Sequence, residues 1–152
     1  MITLVLAFAA TTLPMSVCAA GTAKPDMDGK RVAIVGLLIF SRHSAHLIEP
    51  GEVLAKTPCA VFTVFPGTPE FLTPGISGQE SQSNSKLQTF SREYKSYSEL
   101  HPASPKAVLM KGILKVRPDF RGAASSAGNG FGYRGSFRTA LIVEDVEIID
   151  RR

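Results

Sequence analysis

The sequence predicts a mainly β fold: a small barrel of five strands with one helix between the third and the fourth. Three observations predict it. Short apolar, β-branched runs recur between breaks rich in proline and glycine. Only one stretch carries a helical period. Two of the longest apolar runs carry a glycine near their centre.

The first run is Lys30-Arg31-Val32-Ala33-Ile34-Val35-Gly36-Leu37-Leu38-Ile39-Phe40, too short and too β-branched for a helix, and it reads as a buried strand. The polar stretch from Ser41 to His46 is turn-like. Ala45-His46-Leu47-Ile48 is a short second strand closed by Pro50-Gly51. Cys59 to Phe65 is the third, fenced by Pro58 and Pro66-Gly67.

Residues 67–83 are rich in Pro, Gly, Ser and Thr and read as a long loop. The helix follows. Leu87, Phe90, Tyr94 and Tyr97 are spaced by three, four and three, which places them on one face. That face suits a plug for the barrel bottom. Ser85 and Gln88 have the spacing of a capping box, and Pro102 and Pro105 end the segment.

Ala107 to Arg117 is the clearest strand. Val108, Met110, Leu114 and Val116 occupy one face; Leu109, Lys111, Ile113, Lys115 and Arg117 occupy the other, which is largely basic. Residues 119–133 form a further long loop. Phe137 to Val143 is the last strand, continued after Glu144-Asp145 by Val146 to Ile149.

Aligning Gly36 with Gly112 superposes Val32 on Val108, Ile34 on Met110 and Leu38 on Leu114. A mid-strand glycine weakens a flat strand but suits one that coils sharply to close a barrel. A five-stranded Greek-key barrel with its helix between strands three and four is the OB-fold. The opening Lys30-Arg-Val-Ala-Ile-Val-Gly-Leu also resembles that of small, mostly uncharacterised exported bacterial proteins of OB-like architecture. There, such a strand is answered by a similar fourth strand, here around Gly112, and by a last strand ending in alternating valines and acids. The resemblance implies the barrel over residues 30–150 and export. It supplies no catalytic residues.

The N-terminus carries its own signal. The first charged side chain is Lys24. Ile2 to Leu13 has the length of a signal h-region, and Val17-Cys18-Ala19-Ala20 is a small-residue exit. Residues 1–20 therefore read as a secretory signal peptide cut after Ala19 or Ala20, with 21–29 as a polar leader. The address is periplasmic or secreted, with no membrane span after cleavage. Met15-Ser16-Val17 before Cys18 departs from a lipobox, which argues against a lipid anchor. The cut leaves Cys59 alone, so no intrachain disulfide is expected, and Cys59 reads as a buried small hydrophobe. The formal net charge of +4 is mild and is explained by solubility as well as by an acidic partner.

The most suggestive segment for function is Gly128-Asn-Gly-Phe131-Gly-Tyr133-Arg134-Gly-Ser-Phe137. Glycines interleaved with rings and arginine resemble strand motifs that stack on bases. Lys106, Lys111, Lys115, Arg117, Arg121, Arg134 and Arg138 face only Asp119 in the same stretch. The expected ligand site is thus Lys111, Lys115, Arg117, Arg121, Phe131, Tyr133, Arg134 and Arg138. The expected ligand is anionic, with a structural role in the envelope through protein contacts as one alternative and a nucleic-acid-binding OB domain as the other. Export argues against an intracellular nucleic-acid role.

His43, His46, Glu49 and Glu52 contain metal-ligating types, but a three-residue spacing on extended chain sends the two rings to opposite faces. No nucleophile elbow, phosphate loop or acid–base constellation is present. The expectation is a non-enzymatic binding module without a cofactor or metal.

Overall fold

The computed structural model describes residues 13–41, 44–51, 59–66, 85–121, 129–132 and 135–149. Six strands and two helices follow in order: β1 (Met15–Ser16), α1 (Val17–Gly21), β2 (Arg31–Phe40), β3 (Ala45–Ile48), β4 (Ala60–Val64), α2 (Ser85–Leu100), β5 (Ala107–Val116) and β6 (Thr139–Ile148). A short 3-10 turn, Pro25–Met27, lies between α1 and β2.

Strands β2 to β6 form a closed OB-like barrel in the order β2-β3-β4-β6-β5, closed by β2 against β5. Closure works because β2 is long enough to serve two neighbours. Its residues 31–37 pair antiparallel with β5, and its residues 37–40 pair antiparallel with β3. β4 and β6 are parallel, with Phe62 opposite Ala140.

The alternation legible in β5 sets the interior. Val108, Met110, Leu114 and Val116 point inward with Val32, Ile34 and Leu38 of β2 and with Leu47, Val61, Leu141 and Val143. The β5–β6 register shifts at Lys111/Gly112: Lys111 faces Asp145 and Gly112 faces Val143, so Glu144 is the extra residue. The bulge moves the inward positions of β6 from Leu141 and Val143 to Val146, which explains the acidic pair interrupting that apolar run. Glu144 then meets Arg31 across the surface at 3.1 Å.

The α2 stripe plugs one end, as its spacing predicts. Leu87 and Tyr94 are buried, and Phe90 and Tyr97 pack beside them. Tyr94 joins Phe40, Phe90 and Tyr97 at ring distances of 5.5, 5.7 and 5.7 Å. Its hydroxyl donates to the Leu38 carbonyl at 2.8 Å and accepts the Lys106 N–H at 2.9 Å, so the polar tip of a buried ring is satisfied. Burial raises its pKa, partly offset by the Lys106 hydrogen bond, with Tyr97 adding to the rise.

The N-terminal segment departs from expectation. Residues 13–20, read as the end of a leader, belong to the fold. β1 pairs parallel with Ile34 and Val35, in the part of β2 that β3 does not reach. Val17 and Ala20 are fully buried, and both belong to the main core. The interior position Gly36 is explained here: a Cβ would stand 2.5 Å from Val17 Cγ2 and 3.5 Å from Leu47 Cβ. Cys18 and Cys59 form a disulfide across 41 positions of sequence. The reading of Cys59 as a lone thiol is thereby overturned, because a cut within the small-residue exit was assumed to discard its partner. The sulfur that a lipid anchor on Cys18 would need is the one bonded to Cys59.

No described helix is long and apolar enough to cross a membrane.

Candidate functional site

The β5–β6 connection does not hang free where it is described. Phe131 and Phe137 exchange backbone hydrogen bonds at 2.7 and 3.0 Å, making a small hairpin. Gly132 and Gly135 hold its turn at φ 72° and 62°, backbone that a larger residue would strain. At the base, Asn129 accepts from the Arg121 N–H at 3.0 Å and donates to the Asp119 carbonyl at 2.7 Å.

This hairpin lies on the outside of the barrel. Phe131 packs with Phe62 and Val64 of β4 and Ala140 and Ile142 of β6, with Ile113 and Phe137 at the margin. Phe137 meets Phe62 at 5.5 Å and His46 at 5.4 Å. The outer face of the middle strands, the surface on which OB-folds bind their ligands, is in this chain covered in part by its own loop. Phe131 is 2 % exposed, and its ring is used for that cover. The expectation that it stacks on a ligand is corrected accordingly. Tyr133 and Arg134 lie outside the described residues.

The expected basic residues divide. The Arg117 guanidinium sits 4.8 Å above the Phe131 ring, a cation–π contact that seals the outer cluster. Lys115 is largely covered and lies 3.9 Å from Asp28. Lys111 is exposed beside Asp145 in the register, and Asp145 holds Lys86 at 3.2 Å. The strand face is therefore a mixed surface in which acids from β6 and from the residues before β2 offset the positive charge. The sequence placed Asp145 and Glu144 far from Lys111 and Arg31; only the sheet brings them together.

Arg138 is at the more informative place. Its Nη1 donates to the Ala23 carbonyl at 2.6 Å and reaches the Gly21 carbonyl at 3.5 Å. It lines a cavity of about 330 Å³ with Gly21, Thr22, Cys59, Ala60, Phe120, Ser136 and Phe137. Arg121, exposed, follows Phe120 directly. One wall comes from the N-terminal segment and the disulfide, the other from the loop. Two rings, two hydroxyls and one guanidinium make an apolar concavity with a few polar groups, the usual composition of a ligand site. Cys59, Phe120, Ser136 and the N-terminal wall were missed by sequence reasoning, because they converge only in three dimensions.

Another cavity, about 420 Å³, lies between Phe40, Ser41 and the Lys95, Ser98, Glu99 and Pro102 side of α2 and its end. It gathers none of the expected site residues.

His46 is half-buried, and burial lowers its pKa; its Nδ1 is 3.1 Å from the Ser44 hydroxyl. Glu49 accepts the Cys18 N–H at 3.0 Å. His43 and Glu52 lie outside the described residues, and among the described residues no three His, Cys, Asp or Glu side chains gather to hold a metal.

No family model matches the chain, and no curated protein matches it. Among solved structures it is similar to two OBody proteins, each bound to hen egg-white lysozyme. One is 13 % identical with a TM-score of 0.39, covering 87 % of this chain and 91 % of that one. The other is 12 % identical with a TM-score of 0.42, covering 88 % of each.

Proposed function

We propose that this protein is a non-enzymatic, exported binding module that takes an anionic partner at the cavity between the β5–β6 loop and the N-terminal segment. The observation that carries the reading is the cavity itself: Phe120 and Phe137 supply apolar walls, and Arg138 and the neighbouring Arg121 supply positive charge. A guanidinium held by backbone carbonyls is pre-oriented, so less side-chain entropy is lost when an anion arrives. The Cys18–Cys59 disulfide supports export, since such bonds persist in oxidising compartments.

Titration with heparin as a soluble polyanion, at stepped sodium chloride, tests the reading. Affinity is expected to fall steeply with salt. Arg121→Glu combined with Ser136→Asp is expected to weaken binding at least tenfold, and neither change removes a side chain that the barrel buries. Affinity that is flat with salt and indifferent to both substitutions overturns the proposal.

A further inference from the structure

We infer that the mature protein keeps Cys18, with the leader removed upstream of Met15 and not within the Val17 to Ala20 exit. The inference is independent of what the cavity binds.

The segment from Met15 to Ala23 is fitted to the barrel at every level. Its backbone extends the sheet by pairing with Ile34 and Val35. The Ser16 side chain caps α1 by accepting from the Ala19 N–H at 3.1 Å. Val17 and Ala20 are wholly buried. Remote residues are committed to the segment as well: Glu49 accepts from Cys18, and Arg138 donates to Ala23 and Gly21. Gly36 lacks a side chain where Val17 enters, an arrangement that serves a resident segment and not a departing one.

The alternative has specific consequences. A cut after Ala19 or Ala20 removes Val17 from the core and leaves a slot beside Gly36. It also strips Cys59 of its partner and removes a covalently held wall from the cavity. The step is hydrolysis of one peptide bond before Met15: water adds across it, leaving a carboxylate on the leader and a new amino terminus on the mature chain. The disulfide forms when the Cys18 and Cys59 thiols give two protons and two electrons to a disulfide-bearing oxidant of the compartment, which is reduced to its dithiol.

The test is intact mass and N-terminal sequencing of the protein recovered from its own cells, alkylated before and after reduction. The expected species starts between Ala10 and Met15, takes no alkyl group before reduction and takes two afterwards. A start at Ala20 or Gly21, an uncut chain starting at Met1, or alkylation without reduction each overturns the inference. A further measurement compares the purified disulfide-bonded chain beginning at Ala10 with the purified chain beginning at Gly21, which lacks Cys18. The longer is expected to melt higher by on the order of 10 °C; equal melting temperatures refute the structural argument.

Discussion

The two irregular segments that meet at the cavity are held by opposite means. Residues 15–23 enter the barrel wall: they bury aliphatic side chains in the main core, pair with β2 and are fastened covalently to the chain just before β4. Residues 129–132 and 135–137 stay outside and are fastened by two phenylalanines, a few backbone hydrogen bonds and the Arg117 stack. In sequence, the N-terminal segment has the character of a dispensable leader because it is apolar and small. The β5–β6 loop has the character of a ligand-binding loop because it is glycine-rich and aromatic. The structure makes the N-terminal segment a fixed wall and uses Phe131 and Phe137 of the loop to cover its own barrel. Apolar character reports that a segment leaves water, not where it goes: a leader and a wedge give the same signal.

The comparison breaks most sharply at the disulfide. Replacing Cys18 and Cys59 together by alanine is expected to cost roughly 4 kcal/mol, from the entropy of the 41-residue loop the bond closes. Denaturant unfolding under oxidising conditions measures it, and reduction of the parent protein should reproduce most of the loss. On the other segment, Phe131→Ala should cost about 3 kcal/mol, the lower part of the usual range because its cluster is small. If it unfolds more easily than the cysteine variant, the loop and not the wedge is the stronger element.

A finer test asks whether Val17 truly faces Gly36. Gly36→Ala should destabilise by about 2 kcal/mol through overpacking, and Val17→Ala in the same chain should recover much of it. Additive losses in that double-mutant cycle would place Val17 elsewhere.

A pH dependence belongs to the loop side. Burial depresses the His46 pKa, so its neutral form is favoured in the folded state. Its contribution to stability is whole above pH ~6.5, the unfolded value, and is lost as pH falls through the lower folded value. Between pH 7.5 and 5.5 the environment of Phe137, whose ring meets that of His46, should therefore loosen. Thermal melts of His46→Gln against the parent check it: the difference should shrink as the pH falls. The smallest effect is expected at the surface. Glu144→Gln removes the exposed pair with Arg31 and should change stability by about 0.5 kcal/mol or less, fading with salt.

Much of the architecture is legible in the sequence alone. The alternation of Val108, Met110, Leu114 and Val116 names the inner face of β5, and the spacing of Leu87, Phe90, Tyr94 and Tyr97 names the plug. Such periodicities are local: each residue's neighbours along the chain fix its face. The site is less legible. Arg138 and the Phe131 to Phe137 loop stand out, yet Arg117 proves to be a lid on Phe131, and Lys115 lies against Asp28. Asp28 and Lys115 are distant in sequence, and no local pattern announces their meeting.

By itself the sequence determined the number of barrel strands, the helix between the third and fourth and the inner face of β5. Those follow from side-chain period and turn chemistry, which act over a few residues. Only the tertiary structure decided that Cys18 reaches Cys59, that Val17 fills the space left by Gly36, and that the aromatic loop folds onto the outside of β4 and β6. Each depends on which buried surfaces find one another when the barrel closes, and that is a property of the whole packed chain.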